Sequence, residues 1–271
     1  MTEFDELAEN YDLTRGGEQR GDDYAGDIHA VLPGPEGVVL EIGVGTGVVA
    51  LGLKRRGRAV VGLDLSAPML SRAAPRLGRV LVRSDAMQMS IGTSSVAHAV
   101  SVWVVHSVAR PVVMFREAAR VIRPGGLYVV GVAQRTHPDD RIGLIISDMS
   151  ARVDVRRGAT RPRGVTVSEV IDWAAEAGFD ADVLERERHW VSSPDQELQA
   201  ITHRQWPAMR ELDEGAIEEV TRPAIDALRA LPAREVVRRA TAELVVLRYH
   251  GPRTSTRPRL TPNARPAVTE A

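Results

Sequence analysis

Between residues 41 and 86 the chain places three carboxylates, Glu41, Asp64 and Asp85, at intervals of about 20 residues. The first of them opens the run Glu41-Ile42-Gly43-Val44-Gly45-Thr46-Gly47. Glycines between a strand and a helix tolerate positive φ and let a ligand approach the backbone and the helix N-terminus. Asp64 closes Gly62-Leu63-Asp64 at the end of the next β-rich run, where a carboxylate can accept hydrogen bonds from both hydroxyls of a ribose. Arg83-Ser84-Asp85-Ala86 delivers a further acid after a third run. Glycines spaced in this way are by themselves a tight turn as often as a binding loop. It is the acids at successive strand ends that point to a nucleoside-binding βαβ half.

For these residues to meet, the strands before them must be parallel neighbours. Val38–Ile42, Ala59–Asp64, Val80–Arg83, Ala97–Val104 and Leu127–Ala133 read as strands. Helices are predicted at Val48–Arg56, at Pro68–Ala74 behind a Ser66 cap, and at Pro111–Ile122, which Pro124-Gly125-Gly126 ends. Further on, a helix over Ser168–Ala177, capped by Ser168 and closed by Gly178, precedes a strand at Ala181–Glu187, and another strand follows at Glu243–Tyr249. A helical insertion, Pro194–Arg239, separates these two strands. Pro223 should kink or restart the helix that carries its stripe of Ile217, Val220, Ala224, Leu228 and Leu231. Gln134–Thr166 reads as loop plus helix, apolar enough over Ile142–Met149 to cover a pocket. The class is therefore α/β, with residues 1–250 as one domain and substrate-covering segments at 134–166 and 194–239. Residues 251–271 read as a disordered tail.

On these motifs the chain resembles the class I S-adenosylmethionine (SAM)-dependent methyltransferases over residues 4–133, particularly the small-molecule group related to the ubiquinone and menaquinone methyltransferases. The family's acid-x-Gly-x-Gly-x-Gly stands here as residues 41–47. The resemblance implies a Rossmann-like, seven-stranded, mostly parallel sheet with helices on both faces and a helical lid. It implies SAM as cofactor and S-adenosylhomocysteine (SAH) as product. By the same resemblance Glu41 and the backbone of Gly43, Gly45 and Gly47 hold the methionine moiety, Asp64 the ribose, and Asp85 with the Ala86 amide the adenine. Met69 and Met87 flank the adenine, though either could equally be a core residue, and Leu65 and Val102 complete the set. The opening Phe4–Asp12 is similar to the family's N-terminal helix, which brings Tyr11 and Arg15 to the SAM carboxylate; the plain alternative is a surface tyrosine and arginine.

The stretch after the fourth strand, Ser101-Val-Trp103-Val-Val-His106, lacks the Asn/Asp-Pro-Pro-aromatic motif with which nucleic-acid and protein-glutamine methyltransferases grip a planar amine or amide. A formal net charge of −1 and a pI near 6.7 give no general attraction to polyanions, so the acceptor expected is a small molecule and not nucleic acid. Methyl transfer depends chiefly on positioning, and a base is needed only if the acceptor is protonated. His106 is the catalytic candidate for that role; a histidine that merely packs near the cofactor is the alternative. His137, His189 and His203 fall in the covering segments, and no His, Asp and Glu set has metal-site spacing. Trp190 and Trp206 either line an apolar pocket or serve the core, and the arginine-rich Arg152–Arg163 either meets an anion or lies on a solvated face.

With no cysteine, an acidic N-terminus and no apolar run of about 18–20 residues, a cytoplasmic protein without a membrane span is expected. Two rivals remain. An NAD(P)-dependent oxidoreductase would normally space its glycines GxGxxG, whereas the third glycine here comes one residue earlier. A SAM-binding protein without turnover would carry the same motif. The oligomeric state is open.

Overall fold

The computed structural model describes residues 8, 11–14, 17–132, 134–158, 164–204, 206, 208–209 and 212–251. Arg15 and the expected tail beyond Gly251 lie outside these. The elements run α1 (Tyr11–Thr14), α2 (Gly17–Val31), β1 (Val38–Ile42), α3 (Val48–Arg55), β2 (Ala59–Asp64), α4 (Ala67–Leu77), β3 (Leu81–Arg83) and β4 (His98–Val102). They continue with α5 (Pro111–Val121), β5 (Leu127–Gly131), β6 (Arg135–Thr136), α6 (Arg141–Arg156), α7 (Val167–Glu176), β7 (Phe179–Ser192), α8 (Pro194–Thr202), α9 (Glu214–Arg229) and β8 (Val236–Tyr249).

The sheet has the order β3-β2-β1-β4-β5-β8, with β1 to β5 parallel and β8 antiparallel to β5. β7 pairs antiparallel along the other edge of β8, and the two-residue β6 is an eighth strand beyond the seven expected. Alternating residues of the central strands feed two cores. Leu40, Ala99, Tyr128 and Val245 meet α5 and α7 on one face, while Val39, Val100, Val129 and Leu244 meet α2, α3 and α4 on the other. Because the chain leaves β1 towards β2 and later returns to place β4 on its opposite side, a crevice opens at the carboxyl ends of β1 and β4, the place where ligands of open α/β sheets gather.

Several boundaries differ from the sequence reading. β7 and β8 are each 14 residues long and pair from Phe179↔Tyr249 to Ser192↔Val236, so residues 236–239 belong to a strand and not to the helical insertion. Thr166, not Ser168, caps α7, through a reciprocal capping box with Glu169. Pro223 does not break α9, which runs unbroken through it; Val220 and Ala224 remain buried on either side. Ser66 caps α4 as expected, accepting the Met69 N–H. The covering segments pack on each other: Ile142, Met149 and Val153 of α6 share a third apolar cluster with Ile201 of α8 and Val220, Ala224 and Leu228 of α9.

Candidate active site

The glycine loop is built by backbone constraints. Gly43, Gly45 and Gly47 all have positive φ, +71°, +53° and +82°. A side chain at Gly43 would meet Val104 Cγ2 at 2.4 Å, so the loop can lie against the end of β4 only if that position is bare. At Gly45 nothing lies within 4 Å of where a Cβ would stand, which leaves the backbone open towards the crevice. The Gly43 and Val44 N–H groups donate to the Leu63 carbonyl at 2.7 and 2.8 Å, fixing the loop on β2.

Asp64, at the end of β2, accepts the Gly45 N–H at 2.8 Å and the Ser66 N–H at 2.9 Å. It therefore braces the loop while its carboxylate faces the crevice. Asp85 accepts the Met87 N–H at 2.7 Å and shapes the turn after β3. Glu41 lies beneath the loop at 3% exposure, and its Oε2 has no hydrogen-bond partner among the described residues. Burial, with the Asp64 charge adding to it, holds its carboxyl well above the ordinary carboxylate range, although the Ala50 N–H works in the opposite direction.

A cleft of about 310 Å³ gathers Tyr11, Gly43, Gly45, Asp64, Leu65, Met69, Asp85, Ala86, Met87 and Val102, ten of the residues singled out in the sequence. Glu41 and Gly47 do not line it. Gly47 is the left-handed cap of α3, close against Leu77 and Ala73. The residues present fit a nucleoside with an amino-acid arm: a bare glycine cradle, an acid on its wall, two methionines, and an unpartnered buried carboxylate oxygen below.

A second cleft of about 500 Å³ adjoins the first, and Tyr11, Trp103 and Val104 line both. His106, in a short 3-10 turn after β4, lines the second, as do Trp190, Trp206 and residues of α6. His137 and His203 do not line either cleft, nor does His189, whose Nε2 lies 4.0 Å from Glu187. Of the arginine-rich segment, Arg152 pairs with Asp148 and Arg156 with Glu219 on the surface, while 159–163 lie outside the described residues.

Three features were not foreseen. Asp12 accepts from Thr46 Oγ1 at 2.5 Å and from Arg76 at 2.7 Å, tying α1, and with it Tyr11, to the glycine loop. Trp103 adopts φ +59°, a strained conformation for a bulky residue, with its ring edge-on to Tyr24 and the Arg20 guanidinium 3.9 Å above it. Arg238 of β8 donates through Nε to both oxygens of Asp140 at 2.6 and 2.7 Å and through a terminal nitrogen to Glu197 at 2.9 Å. Asp140 caps α6, so this buried cluster pins both covering segments to the sheet.

Residues 40–130 match the family described as a methyltransferase domain. An uncharacterized methyltransferase of Geobacillus thermodenitrificans is 34% identical over 110 residues, covering 38% of this chain and 51% of the relative, so the chain spans about half the length of that protein. Among solved structures, the YcgJ protein of Bacillus subtilis is similar with a TM-score of 0.52 at 16% identity, over 84% of this chain and 98% of that one. Haemonchus contortus phosphoethanolamine N-methyltransferase 2, in complex with S-adenosyl-L-methionine, is similar with a TM-score of 0.55 at 16% identity, over 92% of this chain and 57% of that one. Residues 40–130 thus match a methyltransferase domain, and the fold is one that solved methyltransferases share.

Proposed function

We propose that the chain transfers a methyl group from SAM, seated in the first cleft, to an O, N or C atom of a small-molecule acceptor in the second, and that it does so mainly by positioning. The observation that carries this reading is the junction at Tyr11, Trp103 and Val104, where the two clefts meet. When bound, SAM supplies a methyl group already made electrophilic by its sulfonium, so the protein has to bind, orient and exclude water. In this reading Asp64 accepts the ribose hydroxyls, Asp85 and the Ala86 N–H hold the adenine edge, Leu65, Met69 and Met87 enclose its faces, and Val102 closes the floor. The glycine backbone and Glu41 receive the amino-acid arm. Where the acceptor is a hydroxyl or an acidic carbon, His106 takes its proton on a ring nitrogen.

Binding separates this reading from a nicotinamide-dependent oxidoreductase. SAM and SAH should raise the melting temperature and NADH should not; stabilisation by NADH alone would overturn the proposal. Turnover separates it from a SAM-binding protein without catalysis. SAH release over a panel of acceptors is the measurement. With a protonated acceptor, His106→Gln should lower kcat by about 100-fold or more and remove the acidic limb of the pH profile, leaving the KM for SAM unchanged.

A further inference from the structure

The wall between the two clefts is one stretch of chain. Val102, Trp103 and Val104 line the first cleft, and Trp103, Val104, Val105 and His106 line the second. Trp103, shared by both, is the least settled residue of the stretch. Its φ of +59° is one that a bulky side chain avoids. Its backbone N–H, where β4 parts from β5, reaches the Gly131 carbonyl only at 3.4 Å. Its indole Nε1 is buried with no hydrogen-bond partner among the described residues. The same holds for the hydroxyl of Tyr24, whose fully buried ring meets the indole edge-on with centroids 4.8 Å apart. A left-handed tryptophan and unpaired buried donors each raise the energy of the folded state, and together at one residue they mark a conformation imposed by its surroundings.

One of those surroundings is the glycine loop. Gly43 lies so close to Val104 that a Cβ there would meet Val104 Cγ2 at 2.4 Å. A shift of the loop under a bound cofactor is therefore passed to Val104 and to its neighbour Trp103, because packed side chains this close cannot move independently. On the proposed methyltransferase reading, we infer that Trp103 is a positioning residue, held in a strained form until SAM fills the first cleft, and that its release gives the second cleft the shape that receives the acceptor. SAM drives the change by binding the relaxed form more tightly than the strained one. His106, three residues further along the same wall, is brought into place by the same movement. The acceptor is thus received after the cofactor, with the methyl donor already seated.

The test labels the full chain with 5-fluorotryptophan and assigns the four fluorine NMR resonances, Trp103, Trp173, Trp190 and Trp206, by single replacements with phenylalanine. Trp190 and Trp206 line the second cleft and not the first, and Trp173 packs on Phe115 in a core of the sheet. As SAH is titrated in, the Trp103 resonance should shift, at least one of Trp190 and Trp206 should shift with the same midpoint, and Trp173 should stay. In Trp103→Phe and Trp103→Tyr, SAH at saturation, checked by calorimetry, should leave Trp190 and Trp206 where they are. A shift of Trp103 alone, or shifts of Trp190 and Trp206 that persist in both variants, would overturn the inference and keep the reading of the first cleft. The wild-type titration can overturn it unaided if neither variant folds. If SAH moves no resonance and releases no heat, the methyltransferase reading falls and the inference falls with it.

Discussion

Replacing Asp64 tests the geometry of the cofactor cleft most directly. Its carboxylate accepts the Gly45 and Ser66 N–H groups at 2.8 and 2.9 Å, and in the proposed complex it also accepts two ribose hydroxyls. Hydrogen bonds to a charged acceptor are worth about 1.5 kcal/mol each at the low end, so losing both hydroxyl contacts should cost about 3 kcal/mol of binding, or about 100-fold in Kd. The two backbone donors border an open cleft that water can enter. Their loss in Asp64→Ala should therefore lower stability by only about 2 kcal/mol, leaving a folded protein in which binding can be measured. Calorimetry would compare SAH with its 2′,3′-dideoxy analogue on both proteins. Wild type should favour SAH by about 100-fold, and Asp64→Ala should bind the two equally, closing a double-mutant cycle. An unchanged Kd for SAH, or a variant that still distinguishes the analogue, would refute the assignment of Asp64 to the ribose.

Other perturbations address the structure around that site. The folded state holds the Glu41 proton more tightly than the unfolded chain does, so this group lowers ligand-free stability as pH rises out of the ordinary carboxylate range towards its raised folded value. Glu41→Gln should flatten that slope and raise the ligand-free melting temperature at pH 8; parallel melting curves for the two proteins from pH 5 to 8 would contradict it. Gly43→Ala forces a left-handed alanine against Val104 and should cost at least about 1–2 kcal/mol in urea unfolding, together with SAH binding. Arg238→Met strands the Asp140 and Glu197 carboxylates and should destabilise the fold by about 3–5 kcal/mol, read from the urea midpoint.

The first half of the molecule was legible because its geometry is written in residue types that few other conformations use. Positive φ at three alternate loop positions calls for glycine, and acids at successive strand ends have few competing explanations. Ten of the twelve described cofactor candidates consequently face one cleft. The exceptions, Glu41 and Gly47, sit one layer behind it, a distinction that spacing along a chain cannot express. The second half was harder to read. β7 was read only as far as Glu187, whereas Arg188-His189-Trp190-Val191-Ser192 continue the strand, and Arg186 and Arg188 both reach Asp27 of α2. Arg238 and Asp140 are 98 residues apart and announce nothing separately. The Thr166/Glu169 capping box was visible as T-x-x-E and outweighs the nearer Ser168.

The third apolar cluster has a consequence for access to the clefts. α6 belongs to one covering segment and α8 and α9 to another, yet they bury their apolar faces against each other and not in either core of the sheet. Neither can release its apolar face without exposing the other's. The ends of the second segment, Ser192 and Val236, are paired neighbours on the β7–β8 ribbon, so the whole cover can loosen without parting a central strand. Amide hydrogens of α6, α8 and α9 should then exchange together, at one opening free energy below that of β1, β4 and β5, making the roof of the acceptor cleft a cooperative unit of its own.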